Sequence, residues 1–189
     1  MQPEAVSAFV LHARPFKENQ ALLEVLMAGE GRISLITYKG GKKNSAKSAL
    51  LQPFRPIAIQ VKKDSGLRKL LSIEEDKALP LASVNLKGRA LYCGFYLNEI
   101  ICRLCPADAY FPDLYLGYTE ALRQLARLEP DSLSYEANLQ LILRRFEYRL
   151  LVLLGYGIDF YSDAESGQAI TAEQDYLLLP ESGFVALGL

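Results

Sequence analysis

Five short apolar runs within the first eighty residues, each closed by a turn signal, constrain the fold of this chain more than any other feature. The runs are 5–13, 21–28, 32–39, 54–63 and 67–75, rich in Val, Ile, Leu and Phe. Arg14-Pro15, Gly29-Glu30-Gly31, Lys39-Gly40-Gly41-Lys42 and Asp64-Ser65-Gly66 separate them, all sequences that favour reversal over continued strand. Alternation is clearest where Ile57, Ile59 and Val61 interleave with Ala58, Gln60 and Lys62. A period of two places the apolar set inward and the polar set outward. Closing five such strands into a small barrel removes their exposed edges. The longest interval, 40–53, falls between the third and fourth runs, where an oligonucleotide-binding barrel carries a linking helix, and 45–51 can supply one or two helical turns. Strand counting alone does not separate that barrel from a sandwich or an SH3-like barrel.

Beyond Leu81 the apolar period becomes helical. Residues 86–104 are apolar nearly all round, which predicts a central, buried helix stopped by Pro106. A second helix is expected over 111–128, closed by Pro130. A third runs to Leu154, capped by Asp131 or Ser132 and ended by Gly155 in a left-handed conformation. Its apolar face is Leu139, Ile142, Leu143, Phe146, Leu150, Leu153 and Leu154. From Tyr156 the chain is short and turn-rich, with a small hairpin across Glu181-Ser182-Gly183. The fold class is therefore α+β: a five-stranded barrel over 1–80, a helical domain over 81–155 and a hairpin region over 156–189. The last residues follow an apolar strand directly, which points to a shortened version of a longer protein.

The net charge of −1 conceals a division. Between Gly31 and Lys63 stand eight basic residues and no acid, whereas 64–189 hold eleven basic and eighteen acidic residues. A polyanion would be attracted to the first part and repelled by much of the second. The segment from Tyr38 to Lys47 adds glycines and an aromatic ring to Lys39, Lys42, Lys43 and Lys47. Mobile cations neutralise phosphates, glycines let the backbone approach, and a ring stacks on an unpaired base. Arg14, Arg32 and Arg55 extend this set into a track across the barrel. The plainer alternative is a lysine-rich solubilising loop on a barrel that serves as a protein-only interaction scaffold.

Other chemistry is poorly represented. His12, the single histidine, is flanked by Leu11 and Ala13 in a predicted strand, as a structural residue would be. Lys39-Gly40-Gly41-Lys42-Lys43 lacks the spacing and hydroxyl of a nucleotide-binding loop, and Glu74-Glu75-Asp76 are sequence neighbours that do not converge. Cys102 and Cys105 form a C-x-x-C pair without a second pair, so they read as buried small side chains in place of half a zinc site. Three thiols in one stretch suit a reducing compartment. No run approaches the roughly 20 apolar residues of a membrane span, and the N-terminus lacks the pattern of a secretory leader. Neither a catalytic residue nor a cofactor is expected. On the third helix, Arg144, Arg145 and Arg149 stand beside the apolar face, where guanidinium groups would suit an acidic-aromatic peptide or simply face water.

Several segments resemble the RecO family of recombination mediators. The first is Ala8-Phe9-Val10-Leu11-His12-Ala13-Arg14-Pro15-Phe16. Gly31-Arg32, Lys39-Gly40, Leu51-Gln52-Pro53-Phe54 and Tyr92-Cys93-Gly94-Phe95-Tyr96-Leu97-Asn98-Glu99 follow in order. Leu143-Arg144-Arg145-Phe146-Glu147 and Leu153-Leu154-Gly155-Tyr156-Gly157 complete the set. The resemblance implies an oligonucleotide-binding barrel followed by helices, in a bacterial cytoplasmic protein associated with the nucleoid. It implies binding of single- and double-stranded DNA, annealing of complementary strands, and work with RecR that helps RecA displace the single-stranded DNA-binding protein during repair. That binding protein's acidic, Phe-ended tail would dock on the helical domain, with Arg144 taking its carboxylates beside Arg145 and Leu143. Many members hold a four-cysteine zinc module after the Leu-Gly-Tyr-Gly segment. Residues 156–189 contain no cysteine, so zinc is absent or its fold is kept as a degenerate, metal-free zinc-ribbon-like hairpin. The family's C-terminal helical continuation is also missing.

Overall fold

A computed structural model describes residues 4–38, 45–62, 67–80, 84–180 and 182–188, without the side chains of Ser45 and Ala46. Lys39, Lys42, Lys43, Lys63, the Asp64-Ser65-Gly66 turn and Glu181 lie outside the described residues. The chain divides into two compact units, Met1–Phe146 and Glu147–Leu189.

The first unit begins with β1 (Val6–Lys17), β2 (Gln20–Met27), β3 (Gly31–Tyr38), the short α1 (Ser45–Leu50), β4 (Ile57–Lys62) and β5 (Arg68–Glu75). They close into a barrel in the order β1-β2-β3-β5-β4, with β1 completing the circle against β4. All neighbours are antiparallel except β3 and β5, which run parallel through Leu35↔Arg68 and Ile36↔Lys69. Strand order and the helix between β3 and β4 match the oligonucleotide-binding barrel and remove the sandwich and SH3-like readings. Period-two alternation explains the interior, where Leu23, Val25, Ile33, Leu35, Ile57 and Ile59 are buried together.

Two strand boundaries differ from expectation for backbone reasons. Arg14-Pro15 is not a turn: β1 continues to Lys17, and the reversal is at Glu18-Asn19. Among the described residues, Val6–Ala8 of β1 pair with β4 and the rest of the strand pairs along its β2 edge alone, so proline's missing N–H costs no ladder bond on the other edge. β4 starts at Ile57, not Phe54, because Phe54 adopts φ 63°. That turn buries its ring beside Gly94 of α2 (Gly88–Leu104). A Cβ at Gly94 would stand 2.9 Å from Phe54 Cε1 and 2.5 Å from Leu86 Cδ1, so only glycine permits this approach.

β2 is buried on both faces. Its outward residues Leu22 and Leu26, with Phe9 and Leu11 of β1, form an apolar patch that needs a cover. Helices α2 and α3 (Leu114–Ala126) of the same unit supply it: the Phe9 ring lies 5.6 Å from that of Tyr115 and 5.2 Å from that of Tyr118. The β1 ladder skips a residue between Val10 and His12, and the Leu11 carbonyl left there accepts a 3.0 Å hydrogen bond from buried Asn98 Nδ2. Asn98 Oδ1 in turn accepts from the Tyr118 hydroxyl at 2.6 Å. The connection between α2 and α3 lies along the start of β3, where Asp108 N donates to Arg32 O and Phe111 N to Glu30 O. Gly31 (φ 119°) makes that contact possible, since a Cβ there would be 3.1 Å from Ala109 O.

α2 is not buried all round. Ala90, Gly94, Leu97, Asn98 and Ile101 face inward, whereas Tyr92, Phe95, Tyr96 and Leu104 are exposed. α3 is shorter than 111–128, and α4 (Tyr135–Leu153) starts after the expected caps. Ser132 instead closes a separate turn, its carbonyl accepting from Tyr135 N at 3.0 Å.

In the second unit α4 ends as the sequence predicts. Gly155 has φ 87°, its N–H donates to Val152 O, and Tyr156 N donates to Leu151 O, two hydrogen bonds that cap the last carbonyls. β6 (Tyr176–Leu179) and β7 (Gly183–Ala186) form the expected hairpin. Asp163 organises the segment before it. Its carboxylate accepts from Ser166 N (2.6 Å), Ser166 Oγ (2.7 Å), Glu165 N (3.1 Å) and, across to the hairpin, Ala186 N (2.6 Å). The backbone N–H of Ser166 leads in holding this carboxyl down from 3.8 to about 2. The folded pKa is depressed, so the stabilisation is present above pH 4 and lost as pH falls towards 2. In an NMR titration the Ser166 and Ala186 amide shifts should move together with a midpoint about 2; a midpoint at the ordinary carboxylate value would contradict the tie.

Candidate nucleic-acid interface

The β1–β2 hairpin, the end of β3 and α1 meet at one end of the barrel. The register places Lys17 opposite Gln20 and Gln20 opposite Tyr38. The Lys47 ammonium on α1 lies 3.4 Å from Tyr38 O. Tyr38 is 63% exposed and Phe16 43%, and Lys17 Nζ stands 5.7 Å from the Phe16 ring centre. Arg14 and Lys17 are exposed on β1 and Lys47 is half-buried. Two accessible aromatic faces thus stand among three cations, with Glu18 as the acid in the hairpin turn. That combination suits phosphates at the charges and unpaired bases on the rings. The sequence signals Arg14, Tyr38 and Lys47 as site residues but not Phe16 and Lys17, because Arg14-Pro15 has the composition of a turn; the aromatic-lysine pair directly after it is the available signal.

Arg32 is placed differently from expectation. Its guanidinium pairs with Glu24 (2.9 Å) and donates to the carbonyls of Cys102 (2.9 Å) and Cys105 (2.6 Å) at the end of α2. Glu24 also accepts from Ser34 Oγ at 2.9 Å. A positive group at a helix C-terminus satisfies carbonyls that have no helical partner. With these donors committed, Arg32 fastens barrel to helix in place of offering itself to a phosphate. Arg55 lies apart from the hairpin end, just before Ile57, which pairs with Ala8 near the start of β1. It is 3.9 Å from Glu75. The structure therefore gathers Arg14 and Lys47, separates Arg55 and withdraws Arg32.

A recess of about 310 Å³ lies between α2 and α4 within the first unit. Tyr92, Cys93 and Tyr96 form one wall, Leu139, Gln140 and Leu143 the other, and Arg89 and Glu136 stand at its rim, 2.7 Å apart. Leu143 is half-buried there, and Arg144 and Arg145 follow it on α4 with exposed side chains.

Cys93, Cys102 and Cys105 are free thiols. Burial is the first cause raising all three above their ordinary value, with Cys105 pushed up to about 11. Such groups stay protonated at neutral pH and make poor nucleophiles. Among the described residues no group of three or more His, Cys, Asp or Glu converges as a metal site requires. Tyr156–Leu189 has no cysteine, and both Asp163 oxygens are engaged by hydrogen bonds, so these residues do not fit a zinc module. Nor, among the described residues, is any helix long and apolar enough to cross a membrane.

The family model "Recombination protein O N terminal" matches residues 1–75, and "Recombination protein O C terminal" matches 86–181. The chain is 33% identical over 188 residues to the DNA repair protein RecO of Pseudoalteromonas atlantica, covering 100% of this chain and 73% of that protein. It is 35% identical over 187 residues to the DNA repair protein RecO of Haemophilus influenzae, covering 98% and 74%. The protein of the same name from Azoarcus is 34% identical over 181 residues, covering 96% and 70%.

Proposed function

Because the chain belongs to the RecO family, we propose that it serves DNA repair and recombination by holding single-stranded DNA at the hairpin end of its barrel. The observation that carries this reading is the meeting of Arg14, Lys17 and Lys47 with the exposed rings of Phe16 and Tyr38. Cations track a backbone whatever its sequence, and rings accept any unstacked base, so the site suits a mediator that must bind strands of arbitrary sequence. Lys39, Lys42 and Lys43, from the segment between Tyr38 and α1, add to its positive charge. Duplex DNA offers phosphates but no free base faces, so it binds through the cations alone. Annealing of complementary strands follows from holding single strands by backbone and stacking, with pairing edges left accessible. No covalent step or cofactor is part of this function.

The helical part, over 81–155, receives the acidic, Phe-ended tail of the single-stranded DNA-binding protein in the α2–α4 recess. Leu143 contributes to the wall, and Arg144 and Arg145 supply positive charge beside it. Cooperation with RecR and assistance to RecA complete the reading on the strength of family membership.

The stacking element is tested by fluorescence anisotropy with a labelled single strand. Phe16→Ala and Tyr38→Ala should each weaken binding about tenfold or more, from the roughly 1–3 kcal/mol a stacked base is worth. Duplex affinity should change little. Equal loss for both DNA forms would remove the rings from base contact.

A further inference from the structure

We propose that Arg89 is a carboxylate-binding residue of the α2–α4 recess, and that Glu136 occupies it as a built-in competitor until an acidic peptide arrives. The inference rests on the recess being the tail site. The two residues stand 2.7 Å apart at its rim, one from each helix, with side chains 69% and 52% exposed. An ion pair that wet is worth little, so opening it costs little.

The occupant follows from the chemistry of the walls. Tyr92, Tyr96, Leu139 and Leu143 offer apolar and aromatic surface for a terminal aromatic side chain, and Tyr92 is 74% exposed. At the rim Arg89 matches Glu136, and further along α4 Arg144, Arg145 and Arg149 outnumber Glu147. The balance favours a negatively charged peptide. Once its ring is seated, the peptide's terminal carboxylate lies in a partly water-excluded recess, where a forked guanidinium contact strengthens. Glu136 then turns outward to water. The exchange conserves charge at Arg89 and gives discrimination: a neutral peptide would have to leave the Arg89–Glu136 pair intact and fill the recess around it.

The test uses the full chain and a synthetic acidic peptide ending in phenylalanine, with its terminal carboxylate free or amidated, followed by calorimetry. Arg89→Gln should weaken binding of the free-carboxylate peptide about tenfold, and Glu136→Gln should tighten it about threefold, by removing the competitor. Amidation should weaken binding to the wild type but add little to the loss caused by Arg89→Gln. Both side chains are exposed, so the variants keep the fold, and single-stranded DNA affinity serves as the control. If Leu143→Ala or Arg144→Ala weakens the peptide while Arg89→Gln and Glu136→Gln leave it unchanged, the exchange is overturned and the tail site stands. If the wild type binds no peptide, both are overturned.

Discussion

Replacing Asn98 by Leu is expected to destabilise the protein by about 2–5 kcal/mol, a large share of a domain's total stability. The side chain is buried and bridges two groups that have no route to water: the Leu11 carbonyl at the β1 irregularity and the Tyr118 hydroxyl. Leucine fills a similar volume but leaves both unsatisfied, at roughly 1–3 kcal/mol each. Tyr118→Phe removes one of the stranded groups, so the double variant should be less destabilised than the sum of the singles. Urea unfolding measures all three; a destabilisation under about 1 kcal/mol for Asn98→Leu would mean that the bridge is not what joins β1 to the helices.

Arg32→Met should cost about 2–4 kcal/mol while leaving single-stranded DNA affinity of the folded protein unchanged. The guanidinium and its partner Glu24 are only 16% and 14% exposed, so the pair is weakly screened. Methionine replaces the stem but strands the Cys102 and Cys105 carbonyls, and takes from Glu24 its charged partner while the Ser34 hydroxyl still donates to it. Unfolding by urea reports the first effect and anisotropy below the transition reports the second. A tenfold fall in DNA affinity at unchanged stability would return Arg32 to the phosphate track.

These two residues also mark the limit of what the sequence could say. Strand number, the helix between β3 and β4, the Gly155 cap and the hairpin were legible because each is written locally, in a period of two, a turn residue or a glycine. The roles of Arg32 and Asn98 were not, because their partners lie far off in the chain: Arg32 reaches a carbonyl 73 residues away and Asn98 one 87 residues away. Arg32 stood in an acid-free basic segment, yet its neutralising acid, Glu24, comes from the adjacent strand. Pro15 misled for the opposite reason. A local breaker signal was tolerated because, among the described residues, β1 pairs on one edge alone at that point. The apolar girth of α2 likewise suggested burial, whereas its aromatic side forms the recess wall. Of the candidate DNA residues, Arg14 and Lys47 come to the same end of the barrel through β pairing and through the contact of Lys47 with Tyr38 O, neither of which composition can reveal.

The DNA-binding role of the hairpin end is most directly tested by the salt dependence of single-strand affinity. The triple variant Arg14→Gln, Lys17→Gln, Lys47→Gln is compared with the wild type over a range of salt concentrations. Each phosphate deprived of its cation should reduce the slope of log affinity against log salt by about 0.7, so removing three cations predicts a slope shallower by about 2. Weaker binding with that shallower slope is the expected result. An unchanged slope and affinity would place the DNA elsewhere on the protein.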